Sequence, residues 1–356
     1  MDIRVQPPSQ LTADEIGAWS AFQRANSQLH SPYFSPEFTQ AVAAVRDDVE
    51  VAVLRRAGSA VGFFPFQRTF WNNGRPVGGR LSDFQGLIAA QGTQYDPQLL
   101  VRDCGLSSLS FDHLLASQQS FRPFVWREDD SPYIDLTDGY DAYMSQRPNG
   151  RSLLSEYGQR SRKLAREVGP LRFEPHVTDP AVFSQCVEWK ADQYRRTKLP
   201  NLFAFRWVLA LFDKLFSVRS ETFSTMMSVL YAGDRIVAIN LSLRYCDVLH
   251  AWFPSYDREL AHYSPGTLLW FETMRAAQEL GIRRIELGKG PEKFKRRFMS
   301  GATTVAEGTV DVRPLSAAIR NAWQKTRNWI QSSPLNIPAR APAQLIYRCR
   351  SWLEYH

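Results

Sequence analysis

The chain has 356 residues, 44% hydrophobic and 22% charged, which excludes a disordered or fibrous protein and leaves room for two ordinary domains, each with a real core. A formal charge of +7 favours acidic partners such as nucleotides, phosphorylated cofactors, anionic glycans or a membrane surface, without choosing among them. Cys104, Cys186, Cys246 and Cys349 form no CxxC pair, the N-terminus has no apolar signal core, and no segment approaches the roughly 18 apolar residues of a membrane span, so we expect reduced thiols in a cytoplasmic protein.

Taken in chain order, Thr12-Ala13-Asp14-Glu15 predicts a capping box opening a first helix, and Ser35-Pro36-Glu37 opens a second through Phe38 and Val42. Two strands follow, Glu50 to Leu54 and Val61 to Phe66, flanking the turn Ala57-Gly58, and Gly74 to Gly86 is loop-rich. The pattern returns later. Met227 to Gly233 and Arg235 to Leu241 align with the first hairpin, Val53-Leu54 on Val229-Leu230 and Val61-Gly62 on Val237-Ala238. Each hairpin follows helical sequence, and we read the pair as a duplicated α/β unit rather than as generic hairpin chemistry. Between them, Asp141 to Glu167 ends in a basic helix with Arg160, Arg162, Lys163 and Arg166, and a further helix covers Ala181 to Tyr194 with Val182, Cys186, Trp189 and Gln193 along one face.

The richest stretch comes late. Val248 to Phe253 is a β-rich run that leads through Tyr256-Asp257 to Ser264-Pro265-Gly266-Thr267, where a helix begins. Ser264 is expected to cap it, Pro265 is preset for the first helical position, and Gly266 lets a ligand approach the main chain. Pro254 removes a ladder donor and predicts a bulge or splay in the strand. After Gly281, a short strand from Arg284 to Leu287 enters the loop Gly288-Lys289-Gly290 and the basic run Lys293 to Phe298. Strand, helix start, strand and cationic loop together predict a site for a phosphorylated cofactor, its diphosphate received by the N–H groups of Gly266, Thr267 and Leu268 with help from Lys295, Arg296 or Arg297. The tail from Arg313 carries seven basic residues against Glu354 alone, +6 of the total +7. It reads as a basic, tryptophan-bearing helix that either packs on the body or contacts a membrane surface or nucleotide.

These residues, with Ser31-Pro32-Tyr33-Phe34-Ser35-Pro36-Glu37, Arg162-Lys163-Leu164, Glu286-Leu287-Gly288 and Phe294-Lys295-Arg296-Arg297-Phe298, resemble the GNAT-like acyltransferases of the CelD (cellulose biosynthesis) and BioF2-like group, related in fold to the FemAB aminoacyltransferases. The resemblance spans about residues 31 to 300. It implies an α/β (α+β) fold of two tandem GNAT-like domains, each a mixed, mainly antiparallel sheet flanked by helices. The expected division is a degenerate N-terminal domain at 1–150, an acyl-CoA-binding domain at 151–312, and a basic helical tail at 313–356. It implies acyl transfer from acyl-CoA to an amine, commonly on an amino sugar of surface polysaccharide. The chain departs from the usual pyrophosphate-loop pattern at Ala261 and Ser264, keeping only Gly266, and has Glu286 where the CelD-like pattern has Asp.

Acyl transfer needs a held donor, a polarised carbonyl and a neutral amine. Glu286, Asp257 and His250 are the candidates for proton removal, Glu286 the preferred one; Tyr256 is a candidate donor to the leaving thiolate, and Lys295 serves either the carbonyl oxygen or phosphate. His250 also reads as a core histidine and Asp257 as a turn-closing residue. No HExxH, GxSxG, P-loop or metal-spaced cluster is present, so neither a metal nor specific DNA binding is expected. The functions carried forward are a cytoplasmic N-acyltransferase acting on an amino-sugar or glycolipid acceptor, either free or peripheral at the inner membrane face; a FemAB-like aminoacyltransferase; and a catalytically weak regulatory component that binds a nucleotide or membrane.

Overall fold

The computed structural model describes residues 1–290 and 293–313, so the expectations for the tail at 314–356 lie outside the described residues. Local signals built the first half as expected. Strand β1 (Asp2–Gln6) precedes α1 (Ala13–Ala25), whose capping box is complete: Glu15 N–H donates to Thr12 Oγ1 at 3.2 Å and Thr12 N–H to Glu15 Oε2 at 2.9 Å. In α2 (Pro36–Ala43) Ser35 Oγ accepts from Phe38 N–H. The hairpin β2 (Val49–Arg56) and β3 (Ser59–Thr69) turns at Ala57 and Gly58, both at positive φ. There follow β4 (Asn73–Arg75), β5 (Ile88–Ala89), α3 (Pro97–Asp103), β6 (Ser108–Leu115) and β7 (Val125–Asp135).

The second half runs through α4 (Tyr140–Gln146), α5 (Gly150–Glu167), β8 (Leu171–Glu174), α6 (Pro180–Thr197), α7 (Arg206–Ser217), β9 (Phe223–Ala232), β10 (Arg235–Tyr245), β11 (Val248–Tyr256), α8 (Pro265–Ala276), β12 (Arg284–Glu286), α9 (Lys293–Phe298) and β13 (Gly301–Asp311). The basic helix expected before Glu167 is α5. On α6 the buried face is Val182, Cys186 and Lys190, not Gln193, which is exposed: the Lys190 ammonium reaches Gln193 Oε1 at 2.9 Å and the Pro254 carbonyl at 3.3 Å, and its stem lies among apolar neighbours.

All strands join one sheet, ordered β1-β2-β3-β4-β6-β13-β7-β12-β11-β10-β9-β8, with β5 paired to β3. The order is pseudo-two-fold. Read inward from either edge, the pairings are antiparallel, antiparallel, antiparallel, parallel (β4 with β6; β11 with β12) and antiparallel, meeting at the antiparallel pair β13–β7. Each half thus lends its last strand to the other. One face of the sheet carries a core common to both halves, with Trp19 and Phe38 from α1 and α2 beside Phe212 from α7 and Trp252 from β11. On the opposite face α3 covers the first half, and α5 and α8 the second.

Candidate functional site

Side-chain alternation along β11 and β12 decides which residues face the shared layer. Leu249, Ala251, Ile285 and Leu287 point toward α8, while Val248, His250, Arg284 and Glu286 point the other way, into the layer between the halves. His250 and Glu286 are register partners, and there the β11–β12 pairing ends: Leu287 N–H turns to the Pro132 carbonyl instead. The strands therefore part at His250, four residues before the splay that Pro254 led one to expect. The bulge, however, is at Trp252, the extra residue between Leu241–Phe253 and Ser242–Ala251, and Pro254 stays in register opposite Asn240, because the Trp252 indole is drawn to the Leu81 carbonyl at 3.0 Å.

Leu81 belongs to a loop of the first half that crosses β11, and the same loop delivers Asp83. Its Oδ2 stands 2.8 Å from His250 Nε2, and Tyr33 and Phe84 box the imidazole with ring centroids at 4.9 and 5.8 Å. Gly288 closes the far side, where a Cβ would come within 3.1 Å of Asp83 Oδ2. Burial opposes ionisation of Asp83, but the hydrogen bond from His250 and the charges of His250, His113 and Lys295 outweigh it and hold the carboxyl below its ordinary range. An ionised Asp83 only accepts, so the proton of this contact sits on His250 Nε2. The chain of charges continues: His113 lies 3.8 Å from Asp83 and 3.1 Å from Asp112. Asp112, despite burial, is lowered to about 2 by His113, Gln85 and Lys289, while His113 is raised because Asp112 and Asp83 outweigh its own burial. Lys289 reaches the Asp112 carbonyl at 3.0 Å, and Lys295 the Lys289 carbonyl at 3.0 Å.

Glu286 is 4% exposed. One oxygen accepts from Arg284 Nε at 2.6 Å; the other, Oε2, has no partner among the described residues. Burial drives its pKa up, with Arg284 and His250 only partly offsetting that. Glu286 lines a cleft of about 610 Å³ walled by both halves, where Ser27, His30 and Gln118 face Glu128, Arg284 and Thr303. A carboxylate with a raised pKa and a free oxygen, at the wall of a polar cleft, is equipped to take a proton from an amine.

The other expected site residues gather elsewhere. Tyr256 lies six residues past His250, roughly 20 Å along an extended strand. It is exposed beside Gly266, whose absent Cβ would meet the tyrosine ring at 3.6 Å. Asp257 accepts from Arg235 Nε at 2.8 Å and from Glu259 N–H at 2.9 Å, the contacts of a turn-closing residue. The helix does begin at Pro265, but Ser264 is not its side-chain cap: the residue is left-handed (φ 57°), and its hydroxyl meets Arg160. The N–H groups of Thr267 and Leu268 are not free either. Both donate to the Ser264 carbonyl, at 2.9 and 3.2 Å, leaving Gly266 as the one first-turn N–H without a backbone acceptor among the described residues. The cations part company as well. Lys295 is buried toward Asp83, Arg296 is exposed, and Arg297 pairs with Glu156 of α5 (3.2 Å), which also holds Arg160 at 2.7 Å. Arg297, Glu156, Arg160 and Ser264 thus form one polar row leading to the helix start. Among the described residues, the helix start thus offers an anion Gly266 N–H and Arg160, with Tyr256 alongside, fewer groups than the three open amides expected.

Against known proteins, an acetyltransferase (GNAT) domain model matches residues 152–296, from α5 through α9. No curated protein sequence matches the chain. Among solved structures it is similar to FemX (TM-score 0.56, 10% identity, covering 90% of this chain and 99% of that one). A tandem GNAT protein from the clavulanic acid biosynthesis pathway gives 0.52 at 10% identity over 88% and 99%. L-PGS from Bacillus licheniformis gives 0.50 at 11% over 80% and 94%. At these identities the likeness is one of fold, and it defines the class: a mixed α/β protein with the tandem GNAT architecture, carrying a match to a GNAT domain over residues 152–296. No helix among the described residues is long and apolar enough to cross a membrane.

Proposed function

We propose that the protein is an N-acyltransferase that moves an acyl group from acyl-CoA to the amine of a hydroxyl-rich acceptor, an amino sugar or glycolipid precursor of surface polysaccharide, as the CelD-like resemblance implies. The observation that carries this reading is the buried Glu286 carboxylate, one oxygen unpaired, on the wall of a cleft shared by both halves. The hydroxyl and amide side chains around it suit a sugar, and Glu128 with Glu286 suit an amine.

The donor, when bound, supplies an activated thioester carbonyl. Gly266 N–H and Arg160 hold its phosphates, and the parting of β11 from β12 lets its arm run toward His250. Glu286 takes the proton from the acceptor nitrogen as that nitrogen bonds to the carbonyl carbon. The carbon–sulfur bond then breaks, and the proton held by Glu286 passes to the departing sulfur, leaving the carboxylate ionised again. Asp83 keeps the His250 N–H pointed away from Glu286, so that the imidazole does not claim the carboxylate. Incubation with a panel of acyl-CoA thioesters and amino sugars, following free thiol, tests the proposal. Thiol release that depends on both partners and is lost in Glu286→Gln is the expected result; no release with any pair, and no thermal shift with coenzyme A, would overturn it.

The engagement of the Thr267 and Leu268 amides favours one second reading, a FemAB-like enzyme whose aminoacyl donor is carried on tRNA and needs no diphosphate grip at this helix. A thermal shift with charged tRNA and none with coenzyme A selects it.

A further inference from the structure

Arg284 is held on three sides. Its Nε donates to Glu286 Oε1 at 2.6 Å, its Nη2 to Thr303 Oγ1 at 2.7 Å, and the guanidinium lies over the Tyr133 ring, 3.6 Å from the centroid. Both Nη1 hydrogens and the second one on Nη2 have no acceptor among the described residues, and the side chain, 35% exposed, lines the same cleft as Glu286 with its free Oε2. Asp135, the register partner of Arg284, makes no ion pair with it; its carboxylate accepts from Thr137 N–H at 3.0 Å. A second guanidinium, Arg122 from the segment between β6 and β7, also lines the cleft, exposed and without a partner among the described residues. Five titratable side chains belong to this lining: Arg122, Arg284, Glu128, Glu286 and His30, whose Nε2 donates to the Arg24 carbonyl at 3.1 Å. While Glu286 is ionised, two guanidiniums balance two carboxylates. Once it takes a proton from an amine, the lining holds one positive charge in excess, and the cation that has lost its counter-charge is the one with open N–H groups.

Resting on the acyltransferase reading above, we infer that the acceptor carries an oxyanion, a carboxylate or a phosphate ester, on the same molecule as its amine: an acidic amino sugar, its nitrogen at Glu286 and its oxyanion on the open edge of Arg284, with Arg122 as a second cation. A planar guanidinium suits two parallel N–H···O bonds to either oxyanion. Because Glu286, Thr303 and Tyr133 already fix its plane, receiving the ligand costs Arg284 little rotamer freedom. The acidic group also restores the charge balance that proton transfer to Glu286 disturbs, whereas a neutral sugar leaves the excess in place. The rival claimant for the open N–H groups is the thioester carbonyl oxygen, which every acceptor would meet alike.

The test uses the full-length protein and three acceptors with the same amine: glucosamine, glucosamine phosphate and the matching amino uronic acid. Thiol release from acyl-CoA gives kcat/KM, and calorimetry with the same sugars reads binding without transfer. The two acidic sugars should exceed glucosamine by about tenfold or more in kcat/KM, and the better of them tells phosphate from carboxylate. Arg122→Gln should lower kcat/KM for the acidic sugars several-fold more than for glucosamine, chiefly through KM, and Arg284→Lys, which keeps the charge but not the fork, should remove most of the preference. Equal kcat/KM for neutral and acidic acceptors overturns the inference, as does a loss in Arg284→Lys shared equally by all three, which would give the open N–H groups to the reacting carbonyl. So does sulfate or acetate bound as tightly as the acidic amino sugars, the mark of an adventitious ion only. If no acceptor releases thiol, the acyltransferase reading fails by itself and calorimetry decides for the cleft: tighter binding of the acidic sugars, weakened by Arg122→Gln, upholds the assignment, and equal binding overturns it.

Discussion

Replacing Asp83 with alanine isolates the contact that joins the halves at the site. His250 is fully buried and its Nδ1 already has no partner among the described residues; Asp83→Ala removes the acceptor of its Nε2 proton, at 2.8 Å. Breaking a buried charged hydrogen bond from one side costs on the order of 3 kcal/mol or more, and the 23% exposure of the Asp83 side chain lets water recover part of it, so about 2–3 kcal/mol should remain at pH 7. Because the folded pKa of Asp83 is depressed, its contribution is complete above the ordinary carboxylate range and is lost as pH falls through the folded value. The gap between wild type and variant should accordingly close on acidification. Urea unfolding at neutral and acidic pH, followed by tryptophan fluorescence and by circular dichroism, measures both. A variant within about 0.5 kcal/mol of wild type at pH 7, or a gap that does not change with pH, would refute the claim that Asp83 is the buried partner of His250.

Glu286→Gln should separate activity from stability. The folded pKa of Glu286 is raised by burial, so the ionised group costs stability that the protonated group does not, a loss that sets in as pH rises through the folded value. The amide removes that cost but weakens the Arg284 contact, leaving stability at pH 7 within about 1 kcal/mol of wild type or above it, while acyl transfer falls about 10²–10⁴-fold and its alkaline-rising limb disappears. At the α8 start, Arg160→Ala should weaken coenzyme A binding several-fold, and Glu156→Gln, which frees Arg160 and Arg297, should tighten it; calorimetric titration reads both signs. Gly308→Ala should destabilise by about 1–3 kcal/mol or more, because its Cβ would press on the Phe111 ring and the Phe124 carbonyl, and denaturant melts should show the two halves lost together, since β13 belongs to both.

What the sequence made legible was local. The capping box at Thr12, the Ser35 cap, the Ala57-Gly58 turn and the strand–helix–strand order around α8 all follow from spacing within a few residues, and each is in the structure. The pairing of Glu286 with His250 was half-visible, as both were named but nothing in the spacing joined them. Asp83 was invisible: it sits in a stretch readable only as loop, 167 residues from the histidine it holds. Ser264 misled because Ser-Pro ahead of an apolar run is the usual face of a capped helix, whereas here the turn closed by Asp257 brings the chain in left-handed and hands the serine hydroxyl to Arg160. Gln193 misled on α6 because a lysine is not expected to complete a buried face, yet Lys190 does so, its head received by the Pro254 carbonyl, the Gln193 amide oxygen and the faces of Tyr194 and Phe253.

The pseudo-symmetry explains why the site is lopsided. In the second half the parallel pair is built on a nine-residue strand, β11, followed by a twelve-residue helix, α8. Their counterparts in the first half, β4 and α3, have three and seven residues, too short to part from a neighbour and receive a donor. The chain left over between β4 and β6 is the loop that crosses β11 and carries Leu81, Asp83 and Phe84. One copy has thus given up its own cleft and furnishes a wall for the other. Because β7 and β13 are also exchanged across the middle of the sheet, the surroundings of Glu286 require both copies: Tyr133 of β7 as its register partner on one side, His250 of β11 on the other, and the Asp83 loop across the layer. A duplication that merely placed two such units in a row would leave the second complete by itself; this arrangement makes the surroundings of Glu286 a property of the pair.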